Sequence, residues 1–187
     1  SRTNSYIGVM IDDLVRLGTS EPYRMLTSRA EYRLLLRSDN ADLRLTKIGI
    51  DIGVVGKERA EFFLKKEKSL EEDLEKLKKV TITPVKLKNY GVEIKQDGVK
   101  RNAFELLAAN NIDFTKISQI WPEFVDISPD NQEQIAIQAL YHAYIERQEK
   151  DIEIFKKDEF LKIPDNLDYK NIKSLSNEVV EKLNFSK

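Results

Sequence analysis

The sequence predicts a mainly α-helical chain with long helices and little or no β structure, and three observations carry that expectation. Two long stretches, residues 57–79 and 130–157, repeat apolar residues at helical spacing among dense charge. Capping residues stand ahead of shorter apolar runs. One short run, Tyr90-Gly91-Val92-Glu93-Ile94, has strand character.

The elements follow in chain order. In Tyr6–Leu17 the residues Ile7, Met10, Ile11, Leu14 and Leu17 fall at helical spacing, and Gly18 stands where a terminal glycine belongs. Glu21-Pro22 imposes an extended link. Residues 23–37 admit strand or helix through Leu34-Leu35-Leu36, but Ser28 with Glu31 reads as a capping box and favours a helix from about Arg29. Asp39-Asn40 is a turn and N-cap for a short helix through Lys47, closed by Gly49. Residues 57–79 form a solvated helix packed along one side, its stripe made of Phe63, Leu70, Leu74 and Leu77. Pro84 ends it, and residues 85–99 are an irregular or weakly β connection with a turn at Asp97-Gly98.

From Asn102 the chain returns to short helical pieces, then to a long helix from about Asp130 to Lys157. Pro129 sits near its first turn, with Asp130 and Glu133 as a capping box. Its apolar face holds Ile135, Leu140, Tyr141, Tyr144, Ile145, Ile152 and Phe155. Pro164 marks a break, and a last helix spans roughly Ser176–Leu183. The segments beginning Asn111-Ile112-Asp113-Phe114 and Asn166-Leu167-Asp168-Tyr169 echo each other; each reads as an Asp-initiated turn whose aromatic side chain packs.

Composition narrows the function classes. The chain has 187 residues, 34% of them charged, yet its net charge is −1, so it is not a general polyanion trap. No apolar run is long enough for a membrane span, and the polar start Ser1-Arg2-Thr3-Asn4-Ser5 has no signal-peptide core. A first residue other than Met suggests a piece of a longer chain. The absence of cysteine excludes thiol chemistry and fits a reducing, cytoplasmic setting, and a single histidine, His142, argues against a histidine metal centre. There is no P-loop, dinucleotide fingerprint or nucleophile elbow, so no catalytic residue, metal site or cofactor site is expected in this chain. Asp12-Asp13 diverge on a helix, and Trp121 before Pro122 reads as a core anchor.

The charge distribution carries more than its sum. Seven of ten arginines, namely Arg2, Arg16, Arg24, Arg29, Arg33, Arg37 and Arg44, fall in the first 44 residues, while lysine dominates afterwards. Arginine's planar fork suits phosphate or carboxylate. Two readings stand open: a phosphate-facing set, or a network with Glu21, Glu31, Asp39 and Asp42 at a domain junction. If helical, Arg29, Arg33 and Arg37 form one row, extended by Arg44 and Lys47. Such contacts position RNA rather than read its sequence.

Glu21-Pro22-Tyr23-Arg24-Met25-Leu26-Thr27-Ser28-Arg29-Ala30-Glu31-Tyr32-Arg33-Leu34-Leu35-Leu36-Arg37, continuing Ser38-Asp39-Asn40-Ala41-Asp42-Leu43-Arg44, closely resembles the signature of the MnmG (GidA) family. Tyr6–Leu14, Tyr144-Ile145-Glu146-Arg147-Gln148 and Leu175–Leu183 are similar to the same family in collinear order. The resemblance implies the carboxy-terminal helical region of an FAD- and NADH-dependent enzyme that modifies the wobble uridine of tRNA. FAD, NADH and the family's cysteines would lie upstream; the full-length form would be a homodimer. Its partners would be tRNA and an MnmE-type GTPase. Candidate tRNA-binding residues are Arg24, Arg29, Arg33, Arg37, Arg44 and Lys47; candidate partner-binding residues are Tyr144, Arg147 and Gln148. Residues 1–50 would form the junction after the flavin-binding domain and 51–187 the helical domain, with a last small helical bundle expected beyond residue 187. The alternative reading is a structural scaffold for the homodimer or the GTPase.

Overall fold

The computed structural model describes residues 2–109, 112–159, 162, 164, 167–172 and 174–185, and at Phe155, Asp158 and Glu159 the backbone alone. The described residues are mainly helical, with a single two-stranded sheet, as the apolar spacing predicts. The chain divides into two compact units, Ser1–Glu149 and Lys150–Lys187.

Within the first unit, α1 (Tyr6–Arg16) starts at Ser5, whose hydroxyl accepts from the Gly8 N–H at 3.0 Å. It ends before Gly18, which takes φ +64°. Its inner face presents Val9 to a small core with Ala30 and Leu36, flanked by Tyr6 and Met25.

The helix expected from Arg29 does not form. Residues 23–26 are in neither helix nor strand, with Leu26 extended; Thr27–Arg29 make one 3-10 turn, and Ala30 returns to extended backbone. The reason lies in competing side-chain bonds. Glu31 reaches the Arg2 guanidinium at 3.5 Å, and Arg29 is drawn to Asp13. The carbonyls of Leu34 and Leu35 accept from Arg37 and Asn40 side chains, at 2.7 and 3.1 Å. The α2 helix (Ala41–Asp51) then runs past Gly49 instead of closing on it. A Cβ at Gly49 would lie 2.7 Å from Val55 Cγ2, so this glycine serves close packing.

The α3 helix (Lys57–Lys79) buries Phe63, Leu70, Asp73 and Leu77, with Leu74 packed beside them. It leads into β1 (Thr81–Ile82), then α4 (Pro84–Lys88), with Pro84 at the first turn. The strand-like run 90–94 is instead the end of α4. Gly91 has φ +71°; its N–H bonds Lys88 O at 3.0 Å, and Val92 N–H bonds Leu87 O at 3.2 Å. That is a Schellman cap, with Leu87 and Val92 both buried. The antiparallel partner of β1 is β2 (Arg101–Asn102).

The α5 helix (Ala103–Leu107) carries a complete capping box between Asn102 and Glu105. After it come α6 (Phe114–Ile120), a 3-10 turn at Pro122–Phe124 and α7 (Pro129–Glu159). The cap of α7 is Ser128, whose hydroxyl accepts from Asn131 N–H at 3.3 Å; the expected Asp130/Glu133 box is not the one used. Ile135 and Ala139 enter the main core with Leu77, Leu87, Leu106, Ile117 and Phe124. Leu140 and Tyr144, expected on the apolar face, are exposed instead, while their neighbours Tyr141 and Ile145 are half-buried. A buried polar link also joins α3 to α7: Asn131 Nδ2 donates to Asp73 at 2.8 Å and to Ser69 at 3.0 Å.

In the second unit, a 3-10 turn at Tyr169–Asn171 packs with α8 (Asn177–Phe185). Of the echoed segments, Asn111, Asn166 and Lys173 lie outside the described residues. The Asp-initiated turns and the packed aromatics form as expected: Asp113 accepts from Lys116 N–H at 2.8 Å, Asp168 from Lys170 N–H at 3.0 Å, and the following aromatics, Phe114 and Tyr169, are buried.

Candidate nucleic-acid interface

Since residues 29–37 are not an α-helix, the i, i+4, i+8 row of Arg29, Arg33 and Arg37 does not exist. The arginines sort instead by what their guanidinium groups touch. Asp13, buried on the inner face of α1, accepts from the Tyr23 hydroxyl at 2.7 Å and from Arg29 at 3.1 Å. The Tyr23 bond, backed by Arg29, holds the Asp13 carboxyl below its ordinary pKa against the opposing effect of burial. The same bond pushes the Tyr23 hydroxyl up. Arg2 bonds Asp12 and approaches Glu31, and Arg16 reaches Asp12 at 3.6 Å.

A second cluster surrounds Arg37. Its Nε and Nη2 fork onto Asp39 at 3.0 Å each, Nη1 donates to Leu34 O, and the guanidinium carbon lies 4.8 Å from the centroid of the Tyr141 ring. Arg44 donates to Asn40 Oδ1 at 2.8 Å and to the carbonyls of Asn4 and Arg37. Burial, then the like charge of Arg37, pushes its pKa down. Nearby, Asp42 meets Lys66 at 2.6 Å. Burial works to raise the Asp42 pKa, but the bonds from Lys66 and Leu43 N–H outweigh it and the net shift is downward.

Arg24, Arg33 and Lys47 are different: all three are exposed, and among the described residues none has a hydrogen-bond or ion-pair partner. On α7, Tyr144 is 59% exposed, and Arg147 is exposed without a partner among the described residues. The Gln148 amide oxygen is buried and accepts no bond among the described residues. His142 packs edge-on against Phe104 at 5.3 Å and faces Glu146, and Trp121 tilts against Phe124.

Sequence reasoning missed two features. Asp13 shares the inner face of α1 with Val9, four residues earlier, and that spacing was the available signal for a buried acid needing cations. The other is a cleft of about 570 Å3 lined by α3 and α7, including Phe62, Lys65, Asn131 and Gln134. No local pattern announces it, because it depends on how two helices pack.

The described residues thus form a mainly helical unit, Ser1–Glu149, followed by a smaller one, Lys150–Lys187. Residues 57–149 match the profile of the tRNA modifying enzyme MnmG/GidA C-terminal helical domain, and residues 151–187 match that of its C-terminal helical bundle. The chain belongs to the MnmG/GidA family. It is 46% identical over 187 residues to the tRNA uridine 5-carboxymethylaminomethyl modification enzyme MnmG of Caldicellulosiruptor saccharolyticus, covering 97% of this chain and 30% of that protein. The MnmG of Listeria welshimeri is 47% identical over 187 residues, with 97% and 29% covered. Aquifex aeolicus GidA in its form II crystal superposes with a TM-score of 0.71 at 37% identity, covering 98% of this chain and 29% of that one. The chain thus spans about 30% of the length of the curated relatives it matches. The match over 151–187 also brings residues of the small terminal bundle inside this chain, where the sequence reading had put that bundle wholly beyond residue 187.

Proposed function

We propose that this chain is the tRNA-holding helical part of an FAD- and NADH-dependent enzyme that modifies the wobble uridine in the cytoplasm. The observation that carries the reading is the set of exposed, unpartnered cations, Arg24, Arg33 and Lys47, in a segment whose other arginines are engaged internally. A guanidinium without a carboxylate partner is free for a phosphate, whereas Arg29, Arg37 and Arg44 would have to break existing bonds first. In this reading FAD and NADH are held by the remainder of a longer protein, and residues 1–50 serve as the junction to it. The catalytic groups lie there too.

The test is tRNA binding across a salt series. Arg24→Ala, Arg33→Ala and Lys47→Ala should each weaken affinity and lower the salt slope by about one. Unchanged slopes in all three would refute the assignment.

A second reading rests on the internal engagement of Arg2, Arg29, Arg37 and Arg44: residues 1–50 act as a scaffold, and Tyr144, Arg147 and Gln148 dock an MnmE-type GTPase or the second subunit of a homodimer. It requires GTPase binding without RNA and with weak salt dependence, which Tyr144→Ala would reduce.

A further inference from the structure

We propose that the cleft between α3 and α7 holds one unstacked nucleotide of an RNA strand, base inward and phosphate outward. The proposal rests on the tRNA reading above and names a subsite for it. At about 570 Å3 the cleft is of the size that takes small ligands. One wall is Phe62, whose side chain is 61% exposed although it belongs to a helix whose other large aromatic, Phe63, is fully buried. Arg59 lies 5.7 Å from the centroid of the Phe62 ring and is not among the residues that line the cleft, so Phe62 contributes its ring to the cleft and a cation stands beside it. Base stacking on an exposed aromatic is the usual grip of proteins on unpaired RNA.

The polar groups select a base over a bare phosphate. Gln134 lines the cleft and is only 7% exposed, and its amide nitrogen has no acceptor among the described residues. Asn131 beside it is already committed to Asp73 and Ser69. Of the charged lining groups, Lys66 is paired with Asp42 and Asp39 with Arg37. Asp130 and Glu133 remain without ion-pair partners among the described residues, with Lys65 as the unpaired cation. Two carboxylates repel a free anion but accept from an exocyclic amine or ring N–H. A buried amide donor suits a ring carbonyl or ring nitrogen. A base carrying both functions, such as cytosine, adenine or guanine, matches this set, with Lys65 and Arg59 near its phosphate.

The experiment compares tRNA affinity of the chain with that of Phe62→Ala and Phe62→Trp, alongside titration with cytidine 5′-monophosphate read on the Gln134 side-chain amide NMR signals. Because Phe62 is exposed, neither variant should shift the melting temperature. Phe62→Ala should weaken tRNA about tenfold, as loss of one stacked base does, with the salt slope unchanged. Phe62→Trp should retain affinity. Cytidine monophosphate should shift the Gln134 signals saturably, Phe62→Ala should abolish the shift, and inorganic phosphate should produce none. If Phe62→Ala binds tRNA like wild type while Arg33→Ala does not, the cleft proposal falls and the tRNA reading stands. If the folded chain binds no tRNA, the tRNA reading falls. The nucleotide titration then decides the cleft alone, and absence of a shift at millimolar nucleotide ends it.

Discussion

Replacing Arg37 by alanine separates structural from RNA-facing arginines most sharply. Its guanidinium makes two bonds to Asp39 and one to Leu34 O, and stacks on Tyr141; only 12% of its side-chain surface is exposed. Charged hydrogen bonds of this kind contribute about 1.5–3 kcal/mol net. The cation–π contact adds about 0.5–1 kcal/mol. Part of this returns when Asp39, itself partly exposed, is rehydrated, leaving a loss of about 2–3 kcal/mol. For a chain of this length that lowers the melting temperature by roughly 4–12 °C. Arg33→Ala removes an exposed side chain without partners and should stay within about 0.5 kcal/mol of wild type. Differential scanning calorimetry supplies the first readout, and tRNA titration at a temperature where both variants are folded supplies the second. Arg37→Ala should melt early with an unchanged salt slope, and Arg33→Ala the reverse. An Arg37→Ala variant that melts like wild type but loses one unit of salt slope would refute the sorting of arginines by their internal partners.

Two further outcomes follow from the same geometry. Gly91→Ala forces an L side chain to φ +71° in the cap of α4 and should cost about 1 kcal/mol, seen as a lower urea midpoint; an unchanged midpoint would mean that the turn relaxes freely. Asp13, Asp42 and Asp97 all have carboxyls held below the ordinary range in the folded chain. Their stabilisation is therefore present above the unfolded pKa of about 4 and is lost as pH falls through the lower folded values. The stability gap between wild type and Asp13→Asn should close on acidification, measured as melting temperature against pH, and a gap constant down to pH 2 would exclude Asp13 as its source.

What the sequence made legible divides along a physical line. The α3 and α8 helices and the Asp113 and Asp168 turns were readable because period, caps and proline act within a few residues. Residues 29–37 were not, because the competitors for their backbone and side chains, Arg2, Asp13 and Tyr141, lie far away in the chain. The run 90–94 failed for a different reason. A Schellman cap and a strand both place a glycine beside β-branched residues, and only the preceding Pro84-Val85-Lys86-Leu87, with its proline at a helix start, distinguishes them. The same line runs through the candidate interface. The sequence marked a segment dense in arginine, but tertiary partners decide which arginines are spent inside the fold. Arg29 beside a buried aspartate and Arg33 without a partner are alike in sequence, four residues apart in one motif. An arginine cluster in sequence thus names candidates only, and among the six candidate cations of residues 1–50 the geometry leaves Arg24, Arg33 and Lys47 without an internal partner among the described residues.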